Sequence, residues 1–386
     1  MHIGIDAFRL VGPPTSIGTY THELIQALTE QSCTFTLYAP RREPGADINR
    51  YLDSAPSVRV VFAKKPTAPE RSPKDLFVWN QFTLPRLMKE NNCDVFIAPY
   101  QQVPCFTPRD IPTLVVIHDL CGLRSDCGYR KFGKAWFRHY WNLYTAARRA
   151  TSIVPISHAT REDMLRRFPR CEPRLAQPIY NQVTGATLDR GEASMHVAPL
   201  GIPKDRFILA FGITGPRKGL DIALAGYRLY RQQGGNLPLV LIGMEDPAFL
   251  KKHLADAYLA DVTCLSRVSA CERDSLYRLA TCLLFCSRCE GFGYPVAEAM
   301  RQGCPVIASM ETPARNLVGD SLQLTTPASV TDTSNLLHHY ADMKADARFG
   351  LSNELIRQSM NFVDGNFGVN FAKTLQSILN IEKGSG

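Results

Sequence analysis

Two glutamates, Glu290 and Glu298, flank a Gly-Phe-Gly-Tyr-Pro stretch that follows an apolar run ending at Cys286. Pro295 suits the first position of a helix, where its missing N–H costs nothing. The amide groups at such a helix start attract phosphate, and a carboxylate in the first turn can accept hydrogen bonds from the vicinal hydroxyls of a ribose. We therefore expect Glu298 to hold a ribose and Glu290, in the loop, to face a reacting sugar. The alternative is structural, with Glu298 complementing the helix dipole and Glu290 solvated.

A turn with two adjacent cations, Arg217 and Lys218, follows another apolar run, which ends at Gly212. Arginine binds phosphate through a planar fork and lysine as a point charge, so this pair suits a diphosphate. Gly215 belongs to the same turn and is expected to contact the same substrate. A basic pair in the first turn of a helix opposes the helix dipole. That position favours a ligand role over a solvated surface.

His118 and Gly18 are two further candidates near the ends of apolar runs in the first half of the chain. His118 ends the run 114–118 and could hydrogen-bond a sugar hydroxyl or touch the reacting centre. A structural histidine is the alternative. Gly18 is compatible with a close approach of phosphate or sugar at a helix start, and capping of that helix by Thr15 or Ser16 is the equal alternative.

The elements that must position these residues are short, β-branched apolar runs that alternate with helix-like stretches. Several of the runs are continuously apolar, which is typical of strands buried on both faces of a parallel sheet. The alternation predicts doubly wound α/β folding, and ligands of such sheets bind beyond the carboxyl ends of the strands. The predicted strands are 2–6, 35–39, 58–63, 95–99, 114–118, 153–157, 207–212, 237–243, 262–265, 282–286 and 305–309.

A polar stretch rich in glycine and proline near 170–205 divides the chain into two halves of similar rhythm. We expect a first Rossmann-like domain over 1–195 and a second over 196–365. Residues 366–386 are expected to form a closing helix and tail, and the spacing leaves open whether they pack on the first domain.

Composition excludes several classes of protein. The 386 residues are 45% hydrophobic and 21% charged, with a formal net charge of +8, which predicts a folded chain without a nucleic-acid-binding tail. No signal peptide and no apolar run of roughly 18 residues is present, so we expect a cytoplasmic protein. The twelve cysteines lie mostly in apolar runs, which predicts reduced, buried thiols. The pair Cys286 and Cys289 is a weak signal for zinc or redox chemistry.

Five segments together resemble the retaining glycosyltransferases of family 4, which have the GT-B fold. The most specific is the Glu-x7-Glu segment EGFGYPVAEAMRQGCPVIAS, which begins at Glu290. The supporting segments are GIDAFRL with IGTYTHELIQAL, VVIHDL, ISHATREDML and FGITGPRKGLDIALAGY. The resemblance spans most of the chain, and it implies two Rossmann-like domains facing a central cleft. The first would bind the acceptor and the second the nucleotide sugar.

The resemblance also implies a role for each residue at a matching position. Glu290 would contact the donor sugar, Glu298 the ribose hydroxyls, and His118 the transferred sugar near its reacting carbon. Arg217 and Lys218 would bind the diphosphate, with Gly18 beside it. The backbone amides of the motif would reach phosphate or sugar at Phe292, Gly293 and Tyr294.

The implied reaction moves a glycosyl group from a nucleoside diphosphate sugar to an acceptor hydroxyl with retention of configuration. The Pro-Arg-Lys turn at 216–218 resembles the Pro-Arg-Lys-Asn turn of mannosyltransferases in the family. GDP-mannose is therefore the first donor expected, and UDP-sugars come next. The acceptor would be a glycan or a lipid-linked glycan in polysaccharide biosynthesis. No Asp-x-Asp occurs, so we expect neither metal nor other cofactor. Acceptor choice would lie in loops of the first domain such as 64–75 and 121–134, whose basic and aromatic residues fit either peripheral contact with the inner membrane face or ordinary solvation.

Three other activities compete with this assignment. Another GT-B enzyme could hydrolyse, phosphorolyse or epimerise a sugar nucleotide. A non-catalytic protein could bind the sugar nucleotide without turnover. A Rossmann-type oxidoreductase is disfavoured, because the first strand lacks a Gly-x-Gly-x-x-Gly turn.

Overall fold

The computed structural model divides into two compact units that differ from the expected ranges. The first unit comprises Met1–Leu120, Phe132–Gln182 and Asp364–Gly386, and the second comprises Cys121–Lys131 and Val183–Val363. The boundary therefore lies before residue 195, and a short segment from the first half belongs to the second unit. The structure describes residues 1–12, 15–52, 57–63, 73–202, 206–244, 246–318, 325, 329–363 and 366–383. Most of the predicted loop 64–75 and the end of the tail lie outside these residues.

All eleven predicted strands form, each within two residues of its expected ends. Both sheets are entirely parallel, which confirms the predicted doubly wound α/β class. The strands are β1 (His2–Asp6), β2 (Thr34–Ala39), β3 (Val58–Phe62), β4 (Val95–Ala98), β5 (Thr113–Ile117), β6 (Ser152–Pro155), β7 (Ile208–Phe211), β8 (Leu239–Ile242), β9 (Val262–Leu265), β10 (Cys282–Phe285) and β11 (Val306–Ala308).

Helices lie in most connections between consecutive strands, as is usual for parallel crossovers. A π-helix, Trp79–Thr83, lies between α2 and α3. The α-helices are α1 (Ser16–Thr29), α2 (Pro73–Val78), α3 (Leu84–Asn91), α4 (Lys134–Arg149), α5 (His158–Arg167), α6 (Arg190–Val197), α7 (Leu220–Gln232), α8 (Pro247–His253), α9 (Asp256–Leu259), α10 (Ala270–Leu279), α11 (Tyr294–Arg301), α12 (Ala314–Val318), α13 (Val330–Asp342), α14 (Ala345–Val363) and α15 (Asn366–Lys383).

The first unit is built on a six-stranded sheet with the order β3-β2-β1-β4-β5-β6. Every residue of β4 and β5 is buried, because a parallel sheet of this kind is covered on both faces. The closing helix α15 packs against α1 within this unit, where the rings of Tyr20 and Phe367 lie 5.8 Å apart. The carboxyl ends of β1 and β5 deliver Asp6 and His118 to one edge of the sheet.

The second unit is built on a five-stranded sheet with the order β11-β10-β7-β8-β9. The central strands are buried, whereas the edge strand β9 is partly exposed. Because β7 and β10 are neighbours and parallel, the segments that follow them emerge side by side. These segments contain the basic pair and the first glutamate of the Glu-x7-Glu motif.

Candidate active site

The second unit brings Arg217, Lys218 and Glu290 into one cluster. The Nζ atom of Lys218 lies 2.8 Å from Oε1 of Glu290, and Nη1 of Arg217 lies 3.2 Å from Oε2. The Ser287 hydroxyl lies 2.6 Å from the same Oε1. These contacts hold both oxygens of Glu290 by charge-assisted hydrogen bonds. The side chain is only 11% exposed.

Two backbone features hold the loops of this cluster together. Gly219 has a φ of +64°, and a Cβ built there would lie 1.9 Å from the carbonyl oxygen of Cys286. Only glycine permits this approach. The Arg288 amide donates to the carbonyl oxygen of Arg217 over 2.8 Å, which ties the segment after β7 directly to the one after β10.

The basic pair precedes its helix instead of forming the first turn, so that expectation was wrong. Arg217 and Lys218 belong to a 3-10 turn, Pro216–Lys218, and the left-handed Gly219 separates this turn from α7. The first turn of α7 carries Asp221, which suits the helix dipole. The dipole argument for a ligand role therefore fails, and the case for the pair rests on its contact with Glu290.

Glu298 lies in a separate environment on α11. It accepts a hydrogen bond from the Tyr277 hydroxyl at 3.0 Å and pairs with Arg273 at 3.3 Å. Burial raises the pKa of the Glu298 carboxyl, and the Arg273 charge and the Tyr277 hydrogen bond act against that rise. Among the described residues, no hydrogen bond or ion pair joins Glu298 to the Glu290 cluster.

The Gly-Phe-Gly-Tyr-Pro stretch forms the start of α11. Gly293 caps the helix with a φ of +94°, Tyr294 takes its first position, and Pro295 follows at the second, one residue later than expected. The Phe292 ring is buried against Phe362, so only its backbone is placed to meet a ligand. A cavity of about 130 Å³ lies beside this helix start, and its lining includes Phe211, Ile213, Lys218, Phe285 and Pro295. A Cβ at the nearby Gly215 would meet open space.

In the first unit, His118 is buried at the carboxyl end of β5. Its Nε2 lies 2.8 Å from the carbonyl oxygen of Pro99, and because a carbonyl only accepts, Nε2 carries the proton. Burial lowers the pKa of His118, while the Pro99 hydrogen bond acts against that fall. The ring is therefore neutral at neutral pH, and its Nδ1 can accept a hydrogen bond.

Gly18 lies in the first turn of α1. Its amide donates to the Thr15 hydroxyl at 3.0 Å, which makes Thr15 the helix cap. A Cβ on Gly18 would lie 2.9 Å from the carbonyl oxygen of Arg9. The capping alternative is thus present in the structure, and a role for Gly18 beside a diphosphate stays a prediction.

Two family models match the chain. Residues 17–183 match the model described as Glycosyltransferase Family 4, and residues 196–340 match the model described as Glycosyl transferases group 1. The chain is a glycosyltransferase of family 4. Within this family, it is similar to two bacterial mannosyltransferases.

The glycosyltransferase is 26% identical over 215 residues to the O-antigen chain mannosyltransferase RfbU of Salmonella typhimurium. The aligned region covers 54% of this chain and 56% of that protein. It is also 26% identical over 252 residues to the serotype-specific mannosyltransferase WbdA of Escherichia coli. That aligned region covers 61% of this chain and 31% of that protein. The matched region thus spans little more than half of RfbU and under a third of WbdA.

Solved structures support the GT-B fold of the glycosyltransferase. The sucrose-phosphate synthase of Thermosynechococcus elongatus matches with a TM-score of 0.77 and 15% identity, covering 98% of this chain and 99% of that one. WaaG, a glycosyltransferase involved in lipopolysaccharide biosynthesis, matches with a TM-score of 0.73 and 14% identity, covering 97% and 99%. Anabaena HepE in complex with UDP-glucose matches with a TM-score of 0.69 and 17% identity, covering 97% and 99%.

Three residues of the glycosyltransferase were missed by reasoning from the sequence. Ser287 is fully buried against Glu290, and Arg288 forms a forked ion pair with Asp221, with N···O distances of 2.6 and 3.0 Å. Asp6, at the end of β1, accepts hydrogen bonds from the Trp79 indole and the Phe8 amide. Burial raises the pKa of Asp6 to about 6. The signal that could have found all three is a polar residue at the carboxyl end of a strand or in the loop that follows it.

The expectation of reduced cysteines was wrong for one pair. Cys121 and Cys289 form a disulfide within the second unit across 168 residues of sequence, next to the buried Cys127. Such a separation leaves no local pattern in the sequence. The pair anchors the residue before Glu290 to the segment Cys121–Lys131. The other ten cysteines are free thiols, of which Cys264 and Cys271 are exposed, so the expectation of burial was wrong for these two.

Among the described residues, no group of three or more His, Cys, Asp or Glu side chains could hold a metal ion. Across the same part of the chain, no helix has the length and apolar character needed to cross a membrane.

Proposed function

We propose that this glycosyltransferase moves mannose from GDP-mannose to a hydroxyl of a glycan or lipid-linked glycan, with retention of configuration. The mannosyltransferases RfbU and WbdA favour this sugar, although each is matched over only part of its length. UDP-sugars are the next donor class, because HepE has the same fold and was solved with UDP-glucose.

The observation that carries the proposal is the Glu290 cluster at the carboxyl ends of β7 and β10. Glycosyl transfer places negative charge on the departing diphosphate, and Arg217 and Lys218 are positioned to stabilise it. Removing one preorganised donor of this kind costs about 3 kcal/mol in other enzymes. When the diphosphate takes the two cations, the Glu290 oxygens become available to the hydroxyls of the donor sugar.

The remaining roles follow from local geometry. Glu298 holds the ribose hydroxyls, since Tyr277 and Arg273 fix its orientation. His118 offers an unprotonated Nδ1 to the transferred sugar. Retention proceeds by front-face attack, in which the leaving phosphate takes the acceptor proton. No metal is required, because Arg217 and Lys218 supply the positive charge.

A donor panel tests this function. Purified protein is incubated with GDP-mannose, UDP-glucose and other sugar nucleotides, with and without glycan acceptors, and the released nucleoside diphosphate is measured. We expect acceptor-dependent release that is greatest with GDP-mannose, and an α-linked product by NMR. Lys218→Ala should abolish release while its circular dichroism stays unchanged. Release of free sugar that needs no acceptor, or full activity in Lys218→Ala, would contradict the assignment.

The first unit also carries a surface suited to a membrane. We define the aromatic–arginine surface by residues that line one groove of about 600 Å³, among them Phe77, Phe82, Phe106, Trp141, Tyr144, Arg148 and Arg149. Phe82 is 58% exposed and Phe106 is 63% exposed. Clustered exposed aromatics of this size are unusual on a soluble surface and mark an interaction site.

Charge complementarity favours an anionic bilayer as the partner. Helix α4, which supplies Trp141 and the two arginines, has four basic residues and no acidic one. Aromatic rings prefer the interface of a bilayer, and each nearby arginine adds about 1 kcal/mol of attraction to anionic lipid. Contact with the inner membrane face would bring this unit to a lipid-linked acceptor.

Flotation with vesicles tests the membrane contact. We expect the protein to bind vesicles containing phosphatidylglycerol and to bind phosphatidylcholine vesicles weakly. The double variant Phe82→Ser, Trp141→Ser should lose this binding yet keep turnover of soluble acceptors. The control is Phe349→Ser, which removes a phenylalanine that is 70% exposed in the second unit. Equal loss in the control would refute the assignment to this surface.

A further inference from the structure

We propose that the second unit holds a further binding site, at the amino-terminal edge of its sheet, for a soluble compound that carries two or more phosphates. The site is a cavity of about 640 Å³ whose lining includes four arginines, Arg190, Arg206, Arg278 and Arg348. We call it the amino-edge pocket.

The position of the amino-edge pocket separates it from the donor site. Its lining includes Ala280 and Pro305, which lie just before β10 and β11. The Glu290 cluster lies beyond the opposite, carboxyl ends of β7 and β10. Strands of four residues span about 13 Å. A single diphosphate at the donor site therefore does not reach the four arginines.

Backbone carbonyls hold the four guanidinium groups in place. Arg190 donates to the carbonyl of Arg278 at 3.1 Å, and Arg278 donates to that of Gln302 at 3.1 Å. Arg348 donates to the carbonyl of Tyr340 at 3.0 Å, and Arg206 donates to that of Ala341. Each guanidinium has five N–H donors, so several remain for a ligand. The buried Nε of Arg278 has no hydrogen-bond partner among the described residues.

One carboxylate, Asp189, acts on this positive charge, since it raises the pKa of Arg278 against the effect of burial. None of the four arginines forms an ion pair with an acidic side chain in the part of the chain that the structure describes. By contrast, Arg301 in the same unit pairs with Asp274 at 2.6 Å. Burial lowers the pKa of Arg278, and the like charge of Arg190 lowers it further. Burial also lowers the pKa of Arg348, and there the like charge of Arg206 adds to the effect. The cluster therefore carries repulsion that a bound anion would relieve.

The chemistry of the lining indicates the ligand class. A planar guanidinium matches two oxygens of a phosphate, and four of them suit a ligand with several phosphates better than a monoanion. Asp346 is the one carboxylate in the described lining. It lies in the first turn of α14, and it opposes an anion. Replacing it should therefore strengthen binding.

Calorimetry with inorganic triphosphate at constant ionic strength tests the proposal. The assays use Lys218→Ala protein, in which phosphate binding at the donor site is weakened, and the arginine variants assign the remaining binding to the amino-edge pocket. We expect saturable binding that weakens at least tenfold in Arg278→Gln and in Arg348→Gln, and tightens about threefold in Asp346→Asn. The matched control is Arg357→Gln, which removes an exposed arginine farther along α14 that is already paired with Glu354.

Three outcomes would overturn the amino-edge pocket. The first is no saturable binding in the Lys218→Ala protein. The second is equal weakening in Arg357→Gln, which would show a general charge effect. The third is unchanged affinity in a variant that folds normally by circular dichroism, and two independent arginine variants guard against misfolding of either one. Because donor turnover does not enter these measurements, their failure would leave the proposed transferase activity intact.

Discussion

Glu290 and Glu298 follow the same strand, yet the structure gives them opposite surroundings. Glu290 lies in a loop and shares both oxygens with Lys218 and Arg217. Glu298 lies on α11, where Tyr277 and Arg273 hold it. The partners of Glu290 are groups that a diphosphate would compete for, whereas a tyrosine and an arginine on α10 fix Glu298.

This difference assigns a changing role to one carboxylate and a fixed role to the other. Under the proposed function, a diphosphate that engages Lys218 and Arg217 would release Glu290 from its ion pairs, and the Glu290 charge would then act on the sugar. Glu298 would keep its orientation with or without donor. Loss of Glu290 should therefore act on the transition state, and loss of Glu298 on donor binding.

The largest effect is expected for Glu290→Gln. The variant keeps the size of the side chain but removes the charge that stabilises the developing positive charge of the sugar. We expect kcat to fall at least about 100-fold, with the donor Kd changed less than threefold. Steady-state kinetics and calorimetry with the donor measure the two effects. If the loss appeared in Kd instead of kcat, Glu290 would be a second binding group and the contrast with Glu298 would disappear.

Glu298→Gln should show the reverse pattern. A hydrogen bond to a charged acceptor contributes about 1.5 to 3 kcal/mol, so donor affinity should fall about tenfold to a hundredfold. The same loss should appear with the free nucleoside diphosphate, because the ribose is common to both ligands. A control with inorganic diphosphate, which has no ribose, should bind both proteins equally. Weaker binding of that control would mean that Glu298 acts on the phosphates.

The sheet scaffold could be predicted from the sequence, because strands buried on both faces have to be continuously apolar. β5 and β10 show this directly, since all their residues are buried. His118, directly beyond β5, and Glu290, in the loop that follows β10, could be found by the same reasoning. The end of a strand is visible in the local sequence, because the continuous apolar run stops there.

The contacts within the site could not be predicted, because they join distant segments. Lys218 and Glu290 meet across 72 residues, and the approach depends on the left-handed conformation of Gly219. The error about the first turn of α7 has the same origin, since the spacing alone does not reveal where a glycine interrupts a helix. The disulfide between Cys121 and Cys289 could not be predicted from the sequence for the same reason, because 168 residues separate the two cysteines.

The pH dependence of donor binding should distinguish Glu298 further. Burial raises the pKa of its carboxyl, and the ionised form is the better acceptor for ribose hydroxyls. As pH falls, Glu298 should therefore protonate earlier than an ordinary glutamate, and donor affinity should drop. The ratio of the Kd values of Glu298→Gln and wild type, measured from pH 8 to pH 5, cancels the titration of the ligand phosphates. We expect this ratio to decrease with falling pH, and a constant ratio would show that Glu298 stays ionised.

The smallest effect is expected for Cys121→Ser, which tests how the Glu290 loop is held. The disulfide anchors Cys289, whose carbonyl accepts from Arg217 at 3.3 Å, directly before Glu290. Small displacements of a catalytic group lower turnover, so kcat should fall about threefold while the donor Kd, which depends on Glu298, stays unchanged. Alkylation of unfolded, unreduced protein should label ten cysteines in wild type, the number of free thiols. In contrast, Cys105→Ser alters a free thiol of the first unit and should leave kcat unchanged. Because the disulfide anchors the residue before Glu290, an equal loss in kcat and in donor affinity would mean that the two carboxylates are positioned together and not independently.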